Sequence, residues 1–327
     1  MNRNRRHWLQ RAACVSLGLA GNVGAQTPAS DEAWPAGSTR PIRLIVAYPP
    51  GGVSDEAARA LAEQLGIELR VPVTVEHRPG AGGGVAMEAL AHGPRDGHTL
   101  CFSAISPLLM SPQGGRPAIE LSAVAPVFSV MVTPILVVAT PAFGGRDFDA
   151  VIQQARQRPG TLRWATSGLA TTGHLVLEQV RAARQVDITH VPYKGGGQQL
   201  TDALSGQFEL LSTNVGVQQL AFIRQGRLLP LAVGAPTRLA VLPEVPTFAE
   251  LGLPQANLSS LFGIFAPAGT PAARIERLNA ALNVALRRSA LQARLVAVNN
   301  LPTGGASADF LLQIQREIDA IRRVSPR

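Results

Sequence analysis

The chain has 327 residues, 46% of them hydrophobic and 16% charged, with a formal net charge of +8. That length can bury one large core or two medium ones. The basic excess is almost all arginine, with Lys194 the only lysine; it is scattered, and aromatic residues make up only 5% of the chain. That combination excludes a nucleic-acid surface, which needs a basic stripe and stacking platforms.

Arg3, Arg5, Arg6 and Arg11 flank an apolar run over 12–20, followed by Val23-Gly24-Ala25. A basic start, a short apolar centre and small residues at the end predict a signal peptide over 1–25, cut after Ala25. Its removal lowers the net charge from +8 to +4. Arg5-Arg6-His7-Trp8-Leu9 resembles a twin-arginine export signal. Cys14 falls in the leader, so the mature chain keeps Cys101 alone and has no intramolecular disulfide; Leu100 and Phe102 beside it point to a core position. No later segment is an 18-residue apolar span.

Apolar strands are expected at 42–47, 71–76 and 99–103, with helices at 55–65 and 83–91 between them. A long apolar stretch over 124–138 is expected to be broken by Pro126 and Pro134. A second strand-helix series follows: helix 148–158, strand 162–165, helix 172–183, strand 188–191, helix 198–205, strand 208–212, helix 217–225 and strand 229–234. A strand at 259–265 precedes two tail helices, which carry Ile275, Leu278, Leu282 and Leu286, then Phe310, Ile314, Ile318 and Ile321, at spacings of three and four. The alternation predicts an α/β protein of two lobes, each a mostly parallel sheet flanked by helices. Residues 26–130 and 245–327 form one lobe and 131–244 the other, with crossings near 125–135 and 235–250 and a cleft between them.

Three strand-to-helix turns carry the candidate chemistry. In Tyr48-Pro49-Pro50-Gly51-Gly52-Val53-Ser54-Asp55 a buried strand breaks at two prolines, crosses a Gly pair and starts a helix. Such a turn presents unpaired N–H groups that hold an anion without any basic side chain. Asp55 caps its helix or meets a ligand ammonium or water, and Arg59 satisfies local groups. The second turn, from Thr166 through Ser167, Ala170, Thr171 and Thr172 to His174, offers hydroxyls and a Thr cap, or is an ordinary N-cap. The third, Tyr193-Lys194-Gly195-Gly196-Gly197, allows close backbone approach and fits neither GxxxxGK[ST] nor GxGxxG. His7, His77, His92, His98, His174 and His190 lack metal-ligand spacing and there is no GxSxG, so no metal, cofactor or catalytic residue is expected.

Residues 40–327 resemble the Bug (Bordetella uptake gene) family, the extracytoplasmic receptors of tripartite tricarboxylate transporters. The resemblance rests on Arg40-Pro41-Ile42 leading into Pro49-Pro50-Gly51-Gly52 with Asp55 and Arg59, on the run from Val75-Glu76-His77-Arg78-Pro79-Gly80 to Gly83, and on Asp96-Gly97-His98-Thr99-Leu100. It continues in His190-Val191-Pro192-Tyr193-Lys194-Gly195, Leu242-Pro243-Glu244-Val245-Pro246-Thr247 and the run from Phe262-Gly263-Ile264-Phe265 to Pro271. It implies a periplasmic binding protein fold of type II, a monomer that closes on a small organic acid (a mono- or dicarboxylate, an amino acid or an aromatic acid) and delivers it to membrane permease subunits. The implied site residues are Gly51, Gly52, Val53, Ser54, Asp55, Ser106, Ser167, Ala170, Thr171, Thr172, Tyr193, Gly195, Gly196 and Gly197. Gln198 or Gln199, Ile105, and Thr213 or Asn214 are further wall candidates. The chain departs from the family in Ala170-Thr171 for a Gly-Ser pair and in Ser106-Pro107 for an Asn-Pro. A sensor that presents the acid to a membrane signalling protein is the nearer alternative, and an exported enzyme the more distant one.

Overall fold

The computed structural model describes residues 40–109 and 117–324. The expected leader, with its cleavage site, twin arginines and Cys14, lies outside the described residues. The chain begins with β1 (Ile42–Val46), α1 (Val53–Leu69), β2 (Val73–His77), α2 (Gly84–Ala91) and β3 (Thr99–Ala104). It continues through β4 (Val124–Ala139), α3 (Phe148–Gln157), β5 (Arg163–Thr166), α4 (Thr172–Arg184), β6 (Thr189–Pro192), α5 (Gly196–Leu204), β7 (Leu210–Asn214), α6 (Val217–Arg224) and β8 (Leu229–Gly234). β9 (Ser259–Pro267), α7 (Ala272–Arg287), α8 (Ser289–Val296), β10 (Leu301–Pro302) and α9 (Ser307–Val324) complete it.

Local pattern explains most of these elements. In α1, Ala57, Ala58, Leu61, Ala62, Leu65 and Leu69 recur at helical spacing and are all buried. Each buried leucine stabilises by about 1.5–3 kcal/mol relative to exposure. The helix stops where Arg70 turns left-handed (φ 55°) and returns its N–H to the Gly66 carbonyl. In β1 and the residue after it, Ile42, Leu44 and Val46 face one core while Ile45 and Ala47 face another, the two-residue alternation of a strand covered on both sides. Cys101 is fully buried in the second of these cores, where burial pushes its thiol pKa up.

The strands form one curled sheet in the order β2-β1-β3-β9-β4-β7-β5-β6, with β8 and β10 also paired to β4. Its two ends are the two lobes. Each contains a parallel trio, β2-β1-β3 in the first and β6-β5-β7 in the second. The lobes are mixed and not mostly parallel, because β4 and β9 add antiparallel pairs. β4 alone is shared, its residues 124–134 pairing with β9 and its residues 135–139 with β7 and β8.

The expected break of 124–138 does not occur: β4 is one 16-residue strand. Pro126 sits at a shift of register against β9. Pro134 sits where pairing passes from β9 to β7 and β8, so neither missing N–H interrupts a regular ladder. The short α8 and β10 carry no sequence signal of their own and were not expected. Residues 245–256 include Phe248, Leu253 and Ala256, which are buried in one cluster with Trp164 and Val176. Just beyond them the Asn257 amide donates to the Ala235 carbonyl and the Ser259 hydroxyl to that of Gly234. Among the described residues no helix is long and apolar enough to cross a membrane.

Candidate functional site

Four helix N-termini converge on one cavity between the lobes. α1 enters from the first lobe with Gly52, Val53 and Ser54 on the wall, and the second lobe brings α4 (Thr171, Thr172, Gly173), α5 (Gly196, Gly197) and α6 (Val217, Gln218, Gln219). None of the four has a side chain hydrogen-bonded as its cap, unlike α3, where Asp147 accepts from the Ala150 N–H at 2.8 Å. The N–H groups at the first two positions of each helix have no intrahelical carbonyl to reach, and each helix dipole adds positive potential. Among the described residues no Lys, Arg or His lines the cavity, and Glu56, exposed at its rim, is the only charged side chain that does.

Tyr48, Ala104, Ile135 and Phe262 form an apolar floor. The Tyr48 ring stands edge-on to Phe262 at 5.9 Å, and Phe262 stacks on Phe102 at 5.8 Å. Burial pushes the Tyr48 hydroxyl up to about 12, against the opposing pull of hydrogen bonds with Ser106, Ala104 and Ser103, so it remains a neutral group. The lobes touch around the rim. A Cβ on Gly82 would stand 2.7 Å from the Leu169 carbonyl oxygen, and one on Gly195 would overlap the Pro49 ring. Gly195 also sits at φ 154°, so that position demands glycine for both reasons.

Ten of the expected residues line this cavity: Gly51, Gly52, Val53, Ser54, Ser106, Ser167, Thr171, Thr172, Gly196 and Gly197. Asp55, Ala170, Tyr193 and Gly195 do not. Asp55 is buried below α1, where Oδ2 accepts the Gly51 N–H at 2.9 Å and Oδ1 lies 2.7 Å from His77 Nε2 and 2.8 Å from Arg59 Nε. Burial raises its pKa, but the Gly51 N–H, His77 and Arg59 outweigh that and hold the carboxyl below its usual range. Asp55 thus fastens the turn from behind. It takes up the N–H of Gly51, which sits at φ 85°, while Gly52, Val53 and Ser54 stand on the cavity wall.

The 166–172 turn is held without a charge. Thr166 and Thr171 hydroxyls both donate to the Gly168 carbonyl, at 3.0 and 2.8 Å, so Thr171 occupies the N-cap position without making the capping bond expected of it. His190 Nε2 lies 2.7 Å from Thr166 Oγ1. Ala170, left-handed at φ 58°, donates its N–H to His174 Nδ1 at 3.1 Å. That bond puts the imidazole proton on Nε2, 3.3 Å from Glu178. The two imidazoles stack at 4.0 Å with 10° between their planes. Burial lowers the His190 pKa to about 4, with His174 and Arg181 adding to the effect and Glu178 opposing it.

Tyr193 turns away, its hydroxyl donating to Asp202 at 2.7 Å and its ring edge-on to Phe208 at 5.6 Å. Gly195 acts by close approach at the rim. Among the further wall candidates, Gln199, Thr213 and Asn214 line the cavity, while Gln198 and Ile105 do not. Sequence reasoning missed the α6 wall, Val217 to Gln219, and Ser260, which donates to Asn214 Oδ1 at 3.3 Å across the crossing. The signal was present in Asn214-Val215-Gly216-Val217, another strand-glycine-helix turn. Among the described residues no group of three or more His, Cys, Asp or Glu could hold a metal ion.

A two-lobed α/β fold with helix starts facing a closed cleft defines the periplasmic binding proteins. Comparison with known proteins narrows the class. Residues 57–324 match the family model described as the tripartite tricarboxylate transporter family receptor. Protein BugT of Bordetella pertussis is 35% identical over 325 residues, covering 96% of this chain and 97% of that one. MatC from Rhodopseudomonas palustris, solved with bound malate, superposes with a TM-score of 0.82 at 27% identity, covering 88% of this chain and 100% of the other. A second R. palustris protein, Rpa4515 with adipate, gives 0.78 at 30% identity over 88% and 96%. The chain belongs to the tripartite tricarboxylate transporter receptor family, of which the Bug proteins are members. This is a family of solute-binding receptors and not of enzymes.

Proposed function

We propose that this protein captures a small organic acid in the periplasm and delivers it, as a monomer, to the permease subunits of a tripartite tricarboxylate transporter. The carrying observation is the convergence of four helix N-termini from both lobes on a cavity that, among the described residues, no cationic side chain lines. A carboxylate is then held by the N–H groups of Gly52, Val53 and Ser54 from one lobe and of Thr172, Gly173, Gly196 and Gly197 from the other, with Ser106, Ser167 and Thr172 hydroxyls beside them. The malate and adipate bound by the two related R. palustris proteins support an acid as ligand. On this reading the lobes divide between Pro134 and Ile135 and again near Asn257, and residues 1–25 export the chain.

Charged hydrogen bonds of this kind contribute about 1.5–3 kcal/mol each, so four or five give roughly micromolar affinity after the cost of ordering. A thermal-shift panel of mono- and dicarboxylates, amino acids and aromatic acids tests the proposal. At least one acid is expected to raise the melting temperature in a concentration-dependent way. A protein unmoved by every acid, with isothermal titration equally silent, would overturn it.

A further inference from the structure

Gln199 lies in the first turn of α5, is 1% exposed, and lines the cavity. Its Nε2 donates to the Ser212 main-chain carbonyl at 3.2 Å. A carbonyl only accepts, so this bond fixes which end of the amide is nitrogen and directs Oε1 elsewhere. Ser212 is itself anchored, its hydroxyl accepting from Trp164 Nε1 at 2.6 Å, so the amide has a fixed partner to hold it. Among the described residues no group donates to Gln199 Oε1, and that atom is not sealed inside the protein. The cavity therefore presents an acceptor on a buried side chain, in addition to the N–H donors that suit a carboxylate. Glu56 at the opposite rim adds a second group of acceptor character.

A ligand made only of carboxylate and hydrocarbon has nothing to give such an acceptor. Gln199 stands three residues beyond Gly196, on the same helix face, and helical side chains lean back toward the N-terminus. The unmet acceptor is thus close to where an α5-bound carboxylate sits. We propose that Gln199 is a specificity-determining residue selecting acids that carry a hydrogen-bond donor, a hydroxyl or an ammonium, on the carbon next to the carboxylate. This rests on the receptor reading above and goes beyond it by naming the ligand class.

Isothermal titration of the mature chain with matched sets tests it: succinate, malate and aspartate; propionate, lactate and alanine. In at least one set a donor-bearing acid is expected to bind at least about tenfold tighter than its unsubstituted partner. In Gln199→Met that ratio is expected to fall to about twofold or less. Preference for malate over aspartate identifies the donor as hydroxyl, and the reverse as ammonium. Equal affinities within each set for the unaltered protein, or a ratio that survives Gln199→Met, would overturn the assignment while leaving the receptor reading intact. If Gln199→Met fails to fold, as a melting curve shows, the ratio in the unaltered protein decides. A chain that binds no acid at all removes the receptor reading and this inference with it.

Discussion

The two walls of the cleft do the same work with different supports. The first-lobe turn is pinned from behind by an ionised carboxylate, with Asp55 tying the Gly51 N–H, His77 and Arg59 together. The 166–172 turn is pinned by hydroxyls and two stacked imidazoles, with His190 on Thr166 and His174 on the Ala170 N–H. In both cases the carboxylate and the imidazoles that hold the turn lie outside the cavity lining, which is left to backbone and hydroxyl groups. An anion site built this way needs no counter-charge, because the groups that would compete for its N–H donors have been turned toward the scaffold.

Breaking the rim should have the largest effect. Gly195→Val puts a branched side chain into the Pro49 ring and at a φ that non-glycine residues avoid, so the lobes cannot reach their present approach. Losing two charged hydrogen bonds from the opposite wall weakens binding by at least about 100-fold, measured by titration with any acid that the panel identifies. Retained affinity would mean that closure at Pro49 is not needed.

Removing the first-lobe pin should come next, and mainly affect stability. Asp55→Ala leaves the Gly51 N–H and the partly buried His77 without an acceptor, and is expected to cost about 2–4 kcal/mol in urea denaturation. His190→Gln in the other wall removes one neutral hydrogen bond and should cost about 1 kcal/mol. Equal costs would erase the distinction between the two supports.

A further effect separates the walls by pH. The His190 pKa is depressed in the fold, to about 4 from 6.5, so the unfolded chain takes up its proton first as acid is added. The stability this group contributes is full above about pH 6.5 and is lost as pH falls toward 4. Asp55, also depressed, contributes fully above its ordinary value of 3.8 and loses that contribution only below it. Between about pH 6.5 and 4.5 the melting temperature should therefore fall less in His190→Gln than in the unaltered protein. Parallel curves through that window would mean that His190 is not what the second wall responds to.

How much of this was legible in the sequence depended on range. The face of α1 and the turns at Gly51–Gly52 and Gly195–Gly197 are written in neighbouring residues, so periodicity and glycine placement found them. The continuity of β4 was not, because whether a proline breaks a strand depends on which distant strand would have used its N–H. Side-chain direction was hidden for the same reason. Nothing near Asp55 announces that His77 will stand below it, and nothing near Tyr193 announces Asp202 and Phe208. The α6 wall was present in the same local grammar as the other turns, but only the fold shows that its helix start faces theirs.

β4 also bears on how the protein comes apart. Its first half completes the sheet of one lobe beside β9 and β10, and its second half completes the other beside β7 and β8. Neither lobe can melt without stripping that shared strand of half its partners and exposing an edge in its neighbour. The lobes are therefore coupled in unfolding as well as in closure, and calorimetry should record one transition whose van't Hoff and calorimetric enthalpies agree. Such a molecule can bend at its crossings during each cycle of capture and release while remaining a single cooperative unit.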